Sequence, residues 1–442
     1  MDPRIVEKLR QIIASIERKP ALRTPQNSVA VPRYVEPARP APEVSSRPSG
    51  RVLGPYPSLP PPSFVTAPAP GVRLFTYHLA PGEYPGLRER SAGEILEVVA
   101  GTGLLPAVTG SAKAADAAVR AYPVFLDLET TALGGAGALP FLAGIGYWSE
   151  GKFIVNQFLL EDRSAEASML ESVAQYLRSP LLVTFNGKCF DVPVLRDRFI
   201  LTGAGPFPVS GAHLDLYAVS RRLGRKPGYT SSLGQCEARY LGFHRTGDIP
   251  SRAVPALYFI YEREGDQSVL APVMRHNLMD VATMASLVDL FCDVMQAGPR
   301  SVEHPEALLG AAKMHVACKR YERARACLEA AKSCPLSTVA STLEFRHLSA
   351  DVLWKLGEKQ KAVSIMEELM REGGLDARKY SRLSAYYESL GDPGKALDIV
   401  EHALRELSRS PAGRKMTESL SRRASKLKKR LYGISPKTVS PE

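Results

Sequence analysis

The sequence predicts an α/β domain, with a mixed β-sheet flanked by helices, followed by an all-α region of helical repeats. The first observation is a run of apolar segments with strand, hairpin, helix and strand character over residues 122–185. The second is a sequence repeat in the last third of the chain. The third concerns residues 20–70, which hold 14 of the 35 prolines and little periodic apolar pattern. This composition predicts a disordered segment ahead of the folded part.

These observations divide the chain into five predicted parts. They are a short amphipathic helix over 1–19, a Pro-rich flexible linker over 20–70, the α/β domain over 71–298, the helical repeats over 304–410, and a basic helix and tail over 411–442. The linker contains P-x-x-P spacings that suit ligand recognition, but a plain tether is the preferred interpretation.

Composition restricts the classes of protein to which the chain can belong. At 442 residues and 45% hydrophobic content the chain has room for two or three domains, and its net charge of +11 suits a polyanionic partner. It has neither a secretory signal pattern nor an uninterrupted apolar run long enough to span a membrane. The six cysteines show no paired spacing, which indicates reduced thiols. We therefore expect a cytoplasmic protein with no membrane partner.

The most informative stretch is YPVFLDLETT, residues 122–131, in which a buried strand ends at two acids. Asp127 and Glu129 are two residues apart, so both carboxylates project from one face of the strand, with backbone positions about 6–7 Å apart. Like charges at the end of a buried strand need a cation or a proton. Mg²⁺ or Mn²⁺ fits carboxylate oxygens, although an isolated Asp-x-Glu is also typical of a solvated strand end.

The neighbouring segments predict the rest of the sheet. A turn at Glu150-Gly151 separates two apolar runs, which indicates a hairpin. The predicted elements are strands over 73–79, 139–148, 152–158 and 181–185, and helices over 91–99 and 165–178.

A second polar group follows the strand over 181–185, in the segment TFNGKCFDVPVL. Asn186-Gly187 indicates a turn, and Asp191 falls in the first turn of the next helix, where the helix dipole favours a carboxylate. Asp191 is thus either a helix-start acid or part of a site. Lys188 is either a surface charge or a phosphate contact.

The third group lies on a long predicted helix over Pro272–Met295. His276 and Asp280 are four residues apart and therefore share a helix face, which is also typical of a local surface pair. With Asp280 the chain offers four acids from distant segments. Four carboxylates can hold two divalent ions about 3.5–4 Å apart, the arrangement that hydrolyses phosphodiesters.

The segments LDLETT, TFNGKCFDVPVL and HNLMDVATM resemble the three motifs of the RNase H-like DEDD 3′–5′ exonucleases, and most closely the YprB-type RNase H-like family. The resemblance covers roughly residues 122–295. It implies that Asp127, Glu129, Asp191 and Asp280 bind two Mg²⁺ or Mn²⁺ ions. It also implies that His276 orients or deprotonates the attacking water, a task that suits its intrinsic pKa. His276 stands four residues before the last acid, where one branch of the exonucleases has tyrosine; the other branch has its histidine five before.

A nuclease site predicts a nucleic-acid partner, DNA or RNA, with a single-stranded end favoured. The residues predicted to contact it are Thr130, Asn186, Lys188, Arg221 and Arg222. Arg221 and Arg222 begin a basic run that continues to Arg225 and Lys226, and a solvated loop is the alternative. Nearby, Tyr229 is a candidate for base stacking. For Asp215 we expect a structural hydrogen-bonding role, and for His213 no special one.

The C-terminal third repeats with a period of 34 residues. Leu356-Gly357 recurs as Leu390-Gly391, and Ala362 recurs as Ala396. This period is that of tetratricopeptide repeats, which usually hold a protein or peptide partner. Beyond the repeats, nine basic residues and one acid give +8 over 414–437. That tail is predicted to be a helix with a basic face for nucleic-acid backbone, the alternative being a solvated helix.

Two functions remain open at this point. One is a metal-dependent 3′–5′ exonuclease with an attached repeat module, with endonuclease activity as a variant of it. The other is a non-catalytic scaffold on an RNase H-like core that binds nucleic acid or protein. The presence of all four acids favours the enzyme, and the spacing of His276 keeps the scaffold open.

Overall fold

The computed structural model describes residues 54–55, 59–100, 102, 104, 122–132, 137–209, 211–224, 232–334, 338–407 and 414–433. The chain divides into two compact units, Met1–Gly310 and Ala311–Glu442. Among the described residues, no helix has the length and apolar character needed to cross a membrane. The predicted helix over 1–19 and most of the predicted linker over 20–70 lie outside the described residues.

The strands of the first unit form a mixed sheet, as predicted. In chain order the described strands are β1 (Gly54–Pro55), β2 (Phe64–Ala69), β3 (Val72–Leu79), β4 (Val124–Thr130), β5 (Pro140–Ser149), β6 (Lys152–Leu160), β7 (Leu181–Thr184), β8 (Ala212–Asp215) and β9 (Phe243–His244). Seven of them make one sheet in the order β2-β3-β6-β5-β4-β7-β8, and β1 pairs with β9. β4 runs antiparallel to β5 and parallel to β7, which places the first acid pair inside the sheet.

The hairpin of β5 and β6 confirms the turn prediction. Glu150 and Gly151 have φ of 50° and 73°, so both turn residues are left-handed, as tight hairpin turns require. The two strands pair in register from Leu142 opposite Leu159 to Ser149 opposite Lys152. Most side chains of β5 and β6 are buried, which accounts for the two apolar runs in the sequence.

The end of the predicted linker is a strand instead. Residues 64–69 form β2, which pairs antiparallel with β3 at the edge of the sheet. Phe64 and Val65 are 59% and 52% exposed. Because β2 is held by backbone pairing rather than by a buried face, its sequence lacks the apolar pattern that identifies a strand.

Helices cover the sheet. The described helices from residue 92 to the unit boundary region are α1 (Ala92–Val99), α2 (Glu166–Leu177), α3 (Asp191–Thr202), α4 (Leu216–Leu223), α5 (Leu233–Cys236), α6 (Val254–Glu264), α7 (Ala271–Gln296) and α8 (Pro305–Ala317). α7 packs against β4, β5 and β6. It approaches closely at Gly144 and Gly146 of β5, where an added Cβ would collide with Asn277 and Val281 respectively.

The second unit is mostly helical in its described part. Its helices are α9 (Tyr321–Ser333), α10 (Leu343–Lys355), α11 (Lys359–Arg371), α12 (Ala377–Ser389), α13 (Pro393–Leu407) and α14 (Arg414–Tyr432). The repeated Ala362 and Ala396 are both fully buried in one core. The repeated glycines Gly357 and Gly391 have φ of 86° and 78°, so each ends a helix in the left-handed conformation. Membership of the tetratricopeptide class stays a prediction.

Candidate active site

The four predicted acids come from three elements that meet beside β4. Asp127 and Glu129 lie on β4, Asp191 is the first residue of α3, and Asp280 lies on α7. Glu129 and Asp191 are 8% and 5% exposed, and the Asp280 side chain is 16% exposed. The structure therefore brings together carboxylates from segments that are far apart in the chain.

A backbone hydrogen bond attaches Asp191 to the first acid pair. The amide of Leu128, between Asp127 and Glu129, donates to Asp191 Oδ1 at 3.1 Å. β7 pairs with β4 only at Val124 and Phe125, so the two strands no longer pair at Leu128. β7 ends at Thr184, and beyond its end the Asp191 carboxylate accepts a hydrogen bond from the Leu128 amide.

The turn before α3 is held by Asp215, in the structural role that was predicted. Its carboxylate accepts hydrogen bonds from the amides of Asn186 (2.8 Å), Lys188 (3.1 Å) and Tyr217 (3.0 Å). Asn186 has φ of 66°, a conformation that asparagine tolerates better than most residues. The turn thereby places Asp191 at the start of its helix.

Asn277, which sequence analysis did not single out, connects α7 to β4. Its amide nitrogen donates to the backbone oxygen of Asp127 (3.1 Å) and to Asp127 Oδ2 (2.8 Å). Its own Oδ1 accepts from Gln157 Nε2 at 2.9 Å. Because Asp280 is one turn further along α7, this anchor also sets where Asp280 lies.

The carboxylates interact electrostatically with one another. Burial, followed by the charges of Asp280, Glu129 and Asp191, raises the pKa of Asp127 well above its usual value. Burial is also the main reason that the pKa of Glu129 rises to about 8 and that of Asp191 to about 7, and Asp280 raises both further. A buried cluster of this kind takes up protons or a cation, because separate negative charges in a dry site repel one another.

His276 is oriented by Asp248, a second residue that the sequence did not reveal. His276 Nδ1 lies 2.8 and 2.9 Å from the two Asp248 oxygens, and Nε2 lies 3.6 Å from Asp280 Oδ2. Although burial lowers the pKa of His276, the charge of Asp280 and the hydrogen bond that Nδ1 donates to Asp248 raise it to about 9. This arrangement favours the protonated form of the imidazole.

A buried arginine completes the cluster. Arg245 Nη2 lies 2.5 Å from Asp280 Oδ1, and Nη1 lies 3.2 Å from Asp248 Oδ2. The guanidinium also contacts both oxygens of Glu237. Arg245 lies in the loop after β9, and no spacing in the sequence connects it to the acids of α7.

Three of the predicted nucleic-acid contacts donate to backbone oxygens in the described part of the chain. Thr130 follows Glu129 and its hydroxyl donates to the Ala132 oxygen at 2.6 Å. Lys188 Nζ and Arg222 Nη1 donate to the backbone oxygens of Leu104 (3.3 Å) and Thr102 (3.0 Å).

The other candidates lie in or beside the predicted basic run that begins at Arg221. Arg221 is exposed and lies over the Tyr217 ring, 5.6 Å from its centroid. Arg225, Lys226 and Tyr229 lie outside the described residues.

The donor set suits a divalent ion chemically, whereas its present arrangement is not that of a finished metal site. In the described part of the chain, no three His, Cys, Asp or Glu side chains form a group with metal-binding geometry. Asp280 Oδ1 is buried and has no aligned hydrogen-bond donor, although the guanidinium of Arg245 lies beside it. Carboxylate oxygens, such as those of these four acids, are the ligands that Mg²⁺ and Mn²⁺ prefer.

Comparison with known proteins agrees with this architecture. The family model for the RNase H superfamily matches residues 124–292, which include all four acids. The chain is 30% identical over 313 residues to the uncharacterized protein YprB of Bacillus subtilis (strain 168), and the match spans 69% of this chain and 74% of that protein.

Among solved structures, the family B DNA polymerase from the hyperthermophilic archaeon Pyrobaculum calidifontis matches with 15% identity and a TM-score of 0.32. That match covers 46% of this chain and 29% of the polymerase. This TM-score is too low to establish a common fold.

Proposed function

Since the chain belongs to the YprB family and has a nuclease-like fold of the RNase H superfamily, we propose that it is a metal-dependent nuclease that hydrolyses phosphodiester bonds. The preferred activity is 3′–5′ exonuclease action on a single-stranded end. One observation supports this proposal above all: Asp191 is hydrogen-bonded to the β4 backbone between Asp127 and Glu129, with Asp280 close enough to raise the pKa values of all three.

The four acids are the proposed ligands of two Mg²⁺ or Mn²⁺ ions. When bound, such ions would supply an acidified water and positive charge at the phosphate. Asn277 holds the Asp127 carboxylate, and the Leu128 amide holds that of Asp191. Each donor orients an oxygen of its acid before any ion arrives.

His276 is proposed to orient or deprotonate the attacking water. Asp248 engages Nδ1, which leaves Nε2 directed at the acid cluster. This arrangement fixes the ring in the same way that a carboxylate orients a catalytic histidine elsewhere. The negative charge around His276 raises its pKa and so favours the protonated imidazole. Once that charge is neutralised, the imidazole can lose this proton and then accept one from the water.

The phosphate backbone is proposed to contact Thr130, Asn186, Lys188, Arg221 and Arg222. The net charge of +11 favours association with a polyanion. For the second unit we propose tetratricopeptide-like repeats that hold a protein partner, consistent with its helical pairs and buried repeat alanines. A cytoplasmic location is part of the same proposal.

The test is cleavage of end-labelled single-stranded DNA and RNA with Mn²⁺ or Mg²⁺. Asp191→Asn should lower the rate at least 100-fold, whereas Asp197→Asn, an exposed acid on the same helix, should leave it unchanged. Stepwise release from the 3′ end indicates an exonuclease, and cleavage of a circular strand indicates an endonuclease. Equal residual cleavage by wild type and Asp191→Asn would contradict the nuclease proposal.

The alternative is a non-catalytic scaffold on the same core that binds nucleic acid or protein. One observation favours it: Asp280 is already paired with Arg245. In that case wild type and Asp191→Asn should bind single strands equally well, and neither should cleave them.

A further inference from the structure

The buried guanidinium of Arg245 has no role in the proposed hydrolysis. It contacts three acids, whereas an ordinary ion pair joins one cation to one acid. Its side chain is 9% exposed. It lies within ion-pair distance of Glu237, Asp248 and Asp280 at 2.6, 3.2 and 2.5 Å. One fixed positive charge is therefore shared by three acids.

Glu237 keeps this cation in place. Its two oxygens accept from Arg245 Nε at 3.0 and 2.8 Å, and its Oε1 also accepts from Thr283 at 2.5 Å. Thr283 in turn is hydrogen-bonded to Tyr84 at 2.7 Å. Glu237 is fully buried, so moving the guanidinium away would leave a buried carboxylate without its counter-charge.

The contact with Asp280 is of a different kind. Arg245 Nη2 lies 2.5 Å from Asp280 Oδ1, but that oxygen has no aligned donor. The guanidinium thus neutralises Asp280 without satisfying its lone pairs. A divalent ion that used this oxygen would lie next to a positive charge that cannot leave.

We propose that Arg245 is the resident counter-ion of Asp280 and that it weakens divalent-ion binding at the four-acid site. The inference rests on the proposed function, because it concerns the ions assigned there. It makes Arg245 a residue that acts through Asp280.

The test is Mn²⁺ titration of the full-length protein, followed by electron paramagnetic resonance of the free ion. In Arg245→Met with Glu237→Gln, both charges of the anchored pair are removed together, so the protein keeps its net charge. We expect the Kd for Mn²⁺ to fall at least tenfold. Arg245→Lys retains the positive charge and should stay within about threefold of wild type.

A matched control is available in the same unit. Arg198 and Glu166 form another ion pair of low exposure, at 17% and 7%. Arg198→Met with Glu166→Gln should leave Mn²⁺ affinity unchanged. Damage to the fold would weaken binding, so tightening cannot be explained by a purely structural role of Arg245. Unchanged or weaker Mn²⁺ binding by the Arg245 double variant, with wild-type circular dichroism, overturns the inference.

Asp127→Asn separates this failure from failure of the proposed function. Mn²⁺ binding that Asp127→Asn abolishes, but that the Arg245 double variant does not tighten, removes only the counter-ion inference. Absence of Asp127-dependent binding in every variant removes both. Binding that appears only in the double variant supports the inference.

Discussion

Asn277 and Asp248 direct the side chains that are proposed to react. Asn277 is fully buried and donates to both the backbone and the carboxylate of Asp127. Asp248 holds His276 by Nδ1. Neither residue binds an ion in the proposal, yet each determines where an oxygen or a nitrogen points, because a buried polar group adopts the position in which its hydrogen bonds are made.

Replacement of Asn277 tests this anchoring. Asn277→Ala removes the side-chain donor to the two Asp127 oxygens and one of the two acceptors of Gln157 Nε2, so the free energy of unfolding should fall by about 2–4 kcal/mol. Nuclease activity should fall by more than stability alone explains.

The control for Asn277→Ala is Asn156→Ala. Asn156 is also buried but bonds Thr76 and Tyr176 away from the acids. It should lose similar stability and keep its activity. Equal activity losses in the two variants, measured below their unfolding temperatures, would contradict the anchoring role.

His213 predicts how stability depends on pH. Burial, with the charge of Lys188 adding to it, lowers the pKa of His213 to about 4, and its Nε2 lies 2.8 Å from Thr184 Oγ1. The unfolded chain takes up this proton near pH 6.5 and the folded protein only near pH 4. The neutral ring therefore stabilises the fold above pH 6.5, and this contribution is lost as the pH falls toward 4.

Urea unfolding at pH 7 and pH 5 measures the effect. Between these values wild type should lose about 1 kcal/mol more than His213→Gln, after allowance for the part of the ring that remains exposed. A loss of the same size in both proteins would show that His213 is not the group responsible.

At the scale of elements, α7 determines the site because it carries Asn277, Asp280 and His276 together. It can approach β5 only where the strand has no side chain. Gly144 lies opposite Asp127 in the sheet and directly beneath Asn277. The glycine is required by this close approach and not by its own backbone conformation.

Gly144→Ala should therefore disturb stability and site together. The added methyl meets an Asn277 side chain that is fixed by its hydrogen bonds, so we expect a cost of about 1–3 kcal/mol and a marked fall in activity. Gly137→Ala is the control, since an added methyl there meets nothing within 4 Å. Thermal unfolding and cleavage assays report the two effects, and a Gly144→Ala protein as active as Gly137→Ala would contradict the close approach.

The sequence predicted the elements well where side chains repeat with a clear period. The hairpin of β5 and β6 and the long helix α7 are predicted from apolar patterns and from the turn at Glu150-Gly151. β2 was missed because its stability comes from pairing with β3 rather than from a buried face. Local pattern identifies an element only when that element contributes its own side chains to the core.

The candidate site was predicted as far as its acids, because the resemblance identifies them in chain order. Asp248 and Arg245 lay outside that prediction, since they reach His276 and Asp280 from a loop about 30 residues away. Ion pairs across such distances depend on the folded path of the chain. No periodic signal in the sequence records that path.

At the scale of the whole molecule, the excess of positive charge predicts salt-dependent binding to nucleic acid. Arg221→Gln with Arg222→Gln should reduce affinity for single strands. The slope of log K against log salt should decrease by about 1–1.5, since each phosphate contact contributes about 0.7. Fluorescence anisotropy at several salt concentrations measures both.

The control pair is Lys152→Gln with Arg196→Gln, which removes two exposed charges of the same unit. It should lower affinity only slightly and leave the slope nearly unchanged. Identical slopes for the two double variants would mean that net charge alone, rather than contact at Arg221 and Arg222, governs binding.

The short pairing of β7 with β4 has a consequence for the sheet itself. Beyond Phe125 the β4 backbone no longer pairs with β7, and the Leu128 amide is held by Asp191 Oδ1 instead. Asp191, which is proposed to bind an ion, therefore also accepts a hydrogen bond from a β4 amide that is not paired with β7. Loss of its carboxylate should let the Leu128 amide exchange with solvent deuterium faster, so that damage to catalysis and loosening of the central strand would arise from one substitution.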